Sequence, residues 1–156
     1  MRFGILTATA AAMLAGFGAA DDGPVGFTPK CDSWNLPIDY GVTTMQGQCA
    51  SNNTQGVTCS EVDLNACYAN MNGTLVAATN GKGDFYRTCS NCTTVNYKPP
   101  QIQCRCWGTD GNGNRVQMDT QVLNLDEHIR VNDDRLGCIG YEGHYCCGKR
   151  CPDPTY

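Results

Sequence analysis

The chain has 156 residues, 12 of them Cys, with 17% charged residues and a formal net charge of −4. No basic run is present to neutralise phosphates, which argues against a nucleic-acid partner. With 18 Gly and no sustained heptad, coiled coils and helical bundles are disfavoured as well.

Residues 3–17 (FGILTATAAAMLAGF) carry no charge, Arg2 precedes them, and Gly18-Ala19-Ala20 follows. A basic start, a short apolar run and a small-residue end predict a secretory signal peptide over residues 1–20. The run is shorter than the roughly 20 apolar residues of a membrane span. The expectation is a secreted, extracellular protein without membrane insertion. An even Cys count behind such a leader predicts six disulfides, closed in an oxidising compartment.

Residues 21–30 (DDGPVGFTPK) form a loose lead-in. From Cys31 onward the chain alternates in short runs at 42–45, 56–64 and, most clearly, 116–125. Between them stand Asn72-Gly73, Asn80-Gly81, Pro99-Pro100 and Asp110-Gly111-Asn112-Gly113. Short strands split by Asn/Gly turns predict an all-β domain. The longest helix candidate, 65–70, is about one and a half turns.

An internal repeat runs through these segments. Phe27-x3-Cys31 matches Phe85-x3-Cys89, Cys49 matches Cys104, and 62–75 matches 123–136. The copies span about 27–84 and 85–137. Some 50 residues of β structure rarely bury a core alone, so the two halves are expected to pack as one pseudo-symmetric unit.

This ordered set resembles the cyanovirin-N homology family over about residues 27–137. The features that carry the resemblance are Phe-x3-Cys, Asp63-Leu64-Asn65, Asn70-x-Asn72-Gly73-Thr74-Leu75 and Leu125-Asp126-Glu127-His128-Ile129. It implies an all-β, pseudo-symmetric, disulfide-stapled lectin fold over 21–140. Each half would hold a three-stranded sheet, a hairpin and short 3-10 turns. The Cys-rich tail 141–156 departs from the family. By resemblance the protein binds mannose-rich glycans in pockets at its two ends, with no cofactor, metal or catalysis. The fold also implies a monomer or a domain-swapped dimer.

A sugar pocket needs convergent polar groups on rigid turns. Carried over by position, the first pocket comprises Asn70, Asn72, Gly83, Asp84, Arg87, Thr88, Arg105 and Trp107. Asn72 stands where the family usually has Asp, and Asp84, Arg87 and Trp107 are further substitutions. The second pocket would use Pro29 and Lys30, then 50–52 and 131–133. Ala50 and Val131 have no hydrogen-bonding side chain there, so this end is expected to be weak or lost. Asn52, Asn72 and Asn91 each begin an N-glycosylation sequon, and a glycan on Asn72 would block the better pocket.

Cys89-x2-Cys92 and Cys104-x-Cys106 have zinc-like spacing, but a secreted context favours disulfides. Hairpin nesting pairs Cys89 with Cys106 and Cys92 with Cys104, whereas the family's spacing implies Cys89–Cys104. Cys31–Cys49 is expected in either case, and Cys59, Cys67 and Cys138 are left unassigned. Asp110-Gly111-Asn112-Gly113-Asn114 imitates half a calcium loop. Arg115 stands at the required Gly and Gln121 at the terminal Glu, so a hairpin turn is expected instead. His128 and His144 are the two histidines, and His128 is expected to pack rather than to catalyse. An alternative function is a secreted interaction or effector-like protein that keeps the fold with decayed sugar sites.

Overall fold

Strands β1 (Cys31–Asn35), β2 (Thr44–Ala50) and β3 (Val57–Asp63) form an antiparallel meander. In β2, Met45, Gly47 and Cys49 turn inward at every second position, which is the period a half-buried strand requires. This is a computed structural model, and the residues it describes are 26–36, 43–51 and 56–146. Residues 1–20, where a leader is expected, the sequon residue Asn52 and the tail beyond Cys146 lie outside the described residues.

After β3 comes a single helical turn, α1 (Leu64–Cys67), capped by Asp63 through the Asn65 N–H at 2.9 Å. The helix expected over 65–70 therefore starts one residue earlier and stops at Cys67. Tyr68–Met71 is instead β4, paired with β5 (Thr74–Ala77). Asn72 and Gly73 hold left-handed φ values of 52° and 88°, and this tight turn commits the segment to a hairpin.

The second half repeats this order. A 3-10 turn (Phe85–Arg87) leads into β6 (Cys89–Tyr97), β7 (Pro100–Thr109) and β8 (Arg115–Asp119). The short β9 (Leu123–Asn124) pairs with β7, and a 3-10 turn (Leu125–Glu127) stands where α1 stood. The hairpin of β10 (Arg130–Asn132) and β11 (Arg135–Cys138) closes the repeat. Its turn residues Asp133 and Asp134 again have positive φ, 44° and 68°.

The core is built from counterparts. Phe27 and Phe85, Met45 and Ile102, Leu64 and Leu125, and Leu75 and Leu136 are all buried in one cluster with Tyr68. Polar contacts cross between the halves in matching form. Asn65 Oδ1 accepts the Tyr86 N–H at 2.9 Å, and Asp126 Oδ1 accepts the Thr28 N–H at 3.0 Å. Each repeat thus holds the first turn of the other.

Disulfides join Cys31–Cys49, Cys67–Cys138, Cys89–Cys106 and Cys92–Cys104. The Cys89–Cys104 bond implied by the family's spacing is not formed. The β6–β7 register puts Cys89 opposite Cys106, and a shift between Ser90 and Thr93 leaves Cys92 to meet Cys104. Cys106, not Cys104, is the counterpart of Cys49. Cys59 is also disulfide-bonded.

The first part of the tail is built into the sheets. Strand β12 (Tyr141–Glu142) pairs with β11, and β13 (His144–Tyr145) pairs with β3. No helix among the described residues is long and apolar enough to cross a membrane.

Candidate functional site

Strand β7 runs past the start of β6, so its edge at residues 107–109 needs other partners. Thr88 O accepts the Trp107 N–H at 2.8 Å. Beyond that point the β4–β5 turn takes over with side chains. Asn70 Nδ2 donates to Trp107 O at 2.8 Å and to Thr88 Oγ1 at 2.9 Å. Its Oδ1 accepts the Gly73 N–H at 2.8 Å. Asn72 Oδ1 accepts both the N–H and the hydroxyl of Thr109, each at 2.6 Å. The two amide side chains satisfy backbone groups that would otherwise be left bare at a sheet edge.

The predicted residues sort by what they touch. Asn70, Asn72, Thr88 and Trp107 meet in this clamp. Gly83 lies against the Tyr68 and Asn65 carbonyls with no room for a side chain, so its role is close backbone packing. Asp84 and Arg87 form an exposed ion pair at 3.3 Å beside the clamp. Arg105 is on the outer face of β7 and pairs with Asp119 of β8 at 3.2 Å.

Outward positions of β7 alternate as Arg105, Trp107 and Thr109, while Cys104, Cys106 and Gly108 turn inward. The Trp107 indole lies on this outer face with the Arg115 guanidinium 4.5 Å above its ring. Thr109 and Arg115 were not among the predicted residues. Thr109 was legible as the next outward step of the same alternation, whereas Arg115 depends on the cross-strand register.

The opposite end is built differently. Val131 occupies the place of Asn70 and is buried, so it cannot clamp. Gly73 and Gly108 approach closely at the first end, where a Cβ on Gly108 would lie 2.6 Å from Asn72 O. Their counterparts here are Asp134 and Ser51, and Ser51 Oγ donates to Asp134 Oδ2 at 2.6 Å. At this end a side-chain hydrogen bond stands where the first end has a close backbone-to-backbone approach.

His128 packs edge-on to Tyr68 with ring centroids 6.0 Å apart. Among the described residues no three His, Cys, Asp or Glu side chains converge as a metal ion would need. Asp110 folds its own turn. It accepts the N–H groups of Asn112 and Asn114 at 2.9 and 2.8 Å, and bonds chiefly to Asn114 hold its carboxyl below the usual range.

Residues 27–137, covering both repeats and both ends, match the CVNH domain family. The chain belongs to this family. No curated protein matches it by sequence. Among solved structures, the CVNH fold of this chain is similar to the CVNH protein of Gibberella zeae, with TM-score 0.52 and 18% identity over 72% of this chain and 96% of that one. It is also similar to microvirin in a mannobiose complex, with TM-score 0.54 and 23% identity over 72% and 97%. A MoCVNH3 variant in complex with (N-GlcNAc)4 gives TM-score 0.55 and 14% identity over 72% and 95%. At these identities the likeness establishes the fold. The CVNH match ends at residue 137, so β12 and β13 are additions to the region it covers.

Proposed function

We propose that this CVNH chain is a secreted carbohydrate-binding protein, acting as a lectin without catalysis, with mannose-terminated glycans as its ligand class. Binding takes place at the end formed by Asn72, Asp84, Arg87 and the outer face of β7. The observation that carries this reading is the contrast between the two ends. At one end Asn70 clamps three segments and leaves charged and amide groups exposed around a rigid turn. At the other, Val131, Ser51 and Asp134 take up the corresponding space. Two solved structures of the same fold support a saccharide ligand, microvirin being in a mannobiose complex and the MoCVNH3 variant in complex with (N-GlcNAc)4.

Asn70 positions rather than donates to a ligand, because both of its amide N–H groups are already engaged. Arg87, 80% exposed at its side chain, is the donor turned to solvent. The test is calorimetric titration of the oxidised protein, freed of N-glycans, with mannobiose and with (GlcNAc)4. Mannobiose binding that disappears in Arg87→Ala with an unchanged melt supports the site. Binding that survives the change places the site elsewhere, and no binding of mannose-terminated glycans by the folded protein overturns the function. The buried Val131 and the Ser51–Asp134 bond favour the other reading for that surface alone, a protein contact on a decayed sugar site.

A further inference from the structure

A concavity lies between β1 and the tip of the β6–β7 hairpin. Its volume is about 490 Å³, within the range of small-molecule sites. One wall is Trp34, and facing it at the hairpin tip are Lys98 and Pro99. Phe27, fully buried, meets the Trp34 ring edge-on at 5.7 Å. Tyr97, at the hairpin end, meets it at 5.3 Å with a tilt of 36°. The indole is therefore fixed from the core and from the hairpin before any ligand arrives, which lowers the ordering cost of binding.

The polar groups of the cleft divide into engaged and available. Asp126 accepts the N–H groups of Phe27 and Thr28 and the Thr28 hydroxyl, so both residues serve as wall. Asp32 is exposed at one side and Lys98 at the other. Neither side chain is engaged in a hydrogen bond or ion pair among the described residues. One free carboxylate and one free ammonium cancel in charge and offer one acceptor and one group of donors. An ionic ligand gains little from such a pair. A neutral polyol with an apolar face gains from both charges and from the indole.

We propose that this cleft is a separate saccharide site, which takes a neutral pyranose of gluco configuration stacked on Trp34. In that configuration the ring hydroxyls are equatorial, so both ring faces present C–H groups to an aromatic surface. The hydroxyls at the rim then reach Asp32 and Lys98, one donating and one accepting. The axial 2-hydroxyl of mannose interrupts one face, so this site and the proposed mannose site select differently.

The chain has two Trp residues, one at each site, which makes the test separable. Trp107→Phe leaves Trp34 as the sole indole reporter, and cellotetraose is the probe. A saturable change in Trp34 emission is expected, with mannobiose giving a much weaker one. Asp32→Ala and Lys98→Ala, both at exposed positions, should each weaken the response about tenfold without moving the melt. No saturable change in the folded protein, an undiminished response in both variants, or an equal response to mannobiose would each overturn the proposal. Trp34→Phe leaves Trp107 to report on the other end, so failure of one site is read independently of the other.

Discussion

The side-chain amide of Asn70 donates to the main-chain carbonyl of Trp107 at 2.8 Å, joining residues 37 positions apart in sequence. That bond, with its companions to Thr88 and Gly73, replaces a missing strand at the edge of β7. It makes Asn70 the structural centre of the candidate sugar end.

Asn70→Ala should therefore act on stability first. It leaves the Trp107 carbonyl and the Gly73 N–H without their partners, and a loss of about 2 kcal/mol is expected from bonds of this kind. A urea melt measures it. Proton exchange at Gly73 should quicken in the same variant, while exchange at Thr109, held by Asn72, should change less.

The disulfides should differ in weight. Cys67–Cys138 spans 71 residues and ties the two repeats together, whereas Cys92–Cys104 spans 12 within one hairpin. Chain-entropy arguments give about 4 kcal/mol for the long loop and about 3 for the short one. Paired Cys→Ser variants, compared by denaturant midpoint, should rank in that order. Equal midpoints would mean that the unfolded chain already holds the two repeats together.

Tyr68 offers a gain. Its hydroxyl is buried without a hydrogen-bond partner among the described residues, and burial, then the charge of Glu127, push its phenol well above its ordinary value of 10.0. Tyr68→Phe should stabilise the fold by about 1 kcal/mol. The fold favours the neutral phenol, so its contribution is complete below pH 10 and is lost as pH rises and the unfolded chain ionises first. The phenylalanine variant should show a shallower alkaline loss in thermal melts across that range.

Asp110 has the opposite sign. Its carboxyl is held below the ordinary 3.8, mainly by Asn114, so the folded turn prefers the charged form. That preference is present above the ordinary value and is lost as pH falls through the lower folded one. The amide signals of Asn112 and Asn114 should titrate together below the usual Asp range, and Asp110→Asn should abolish the transition.

Much of this was written in short windows. Asn72-Gly73 and Asp110–Asn114 specify their turns by local backbone chemistry, and both turns form. The alternation at 116–125 contributes β8 and β9, and the repeated Phe-x3-Cys and Asx-Leu-Asx elements return as matching turns in the core. The helix over 65–70 was misjudged because its local pattern competes with a hairpin that only pairing with β5 stabilises. The site residues were legible as positions but not as roles. Nothing in the sequence near Asn70 or Gly83 says that one bridges three segments through its amide and the other is pressed against two carbonyls.

Turn residues and side-chain periodicity act over a few neighbours, so the all-β class, the two-fold repeat and the family were legible in the chain. Hairpin nesting and family spacing left two pairings for the β6–β7 cysteines, and the register, with its shift between Ser90 and Thr93, settles on the nested pair Cys89–Cys106 and Cys92–Cys104. Tertiary packing sets Gly108 against the Asn72 carbonyl at one end, while Ser51 and Asp134 bond through their side chains at the other. It also brought Trp34 against Tyr97, two residues whose local sequences hold no trace of each other. Long-range pairing is fixed by the sum of many packing and hydrogen-bond contacts, and no short window of the chain contains that sum.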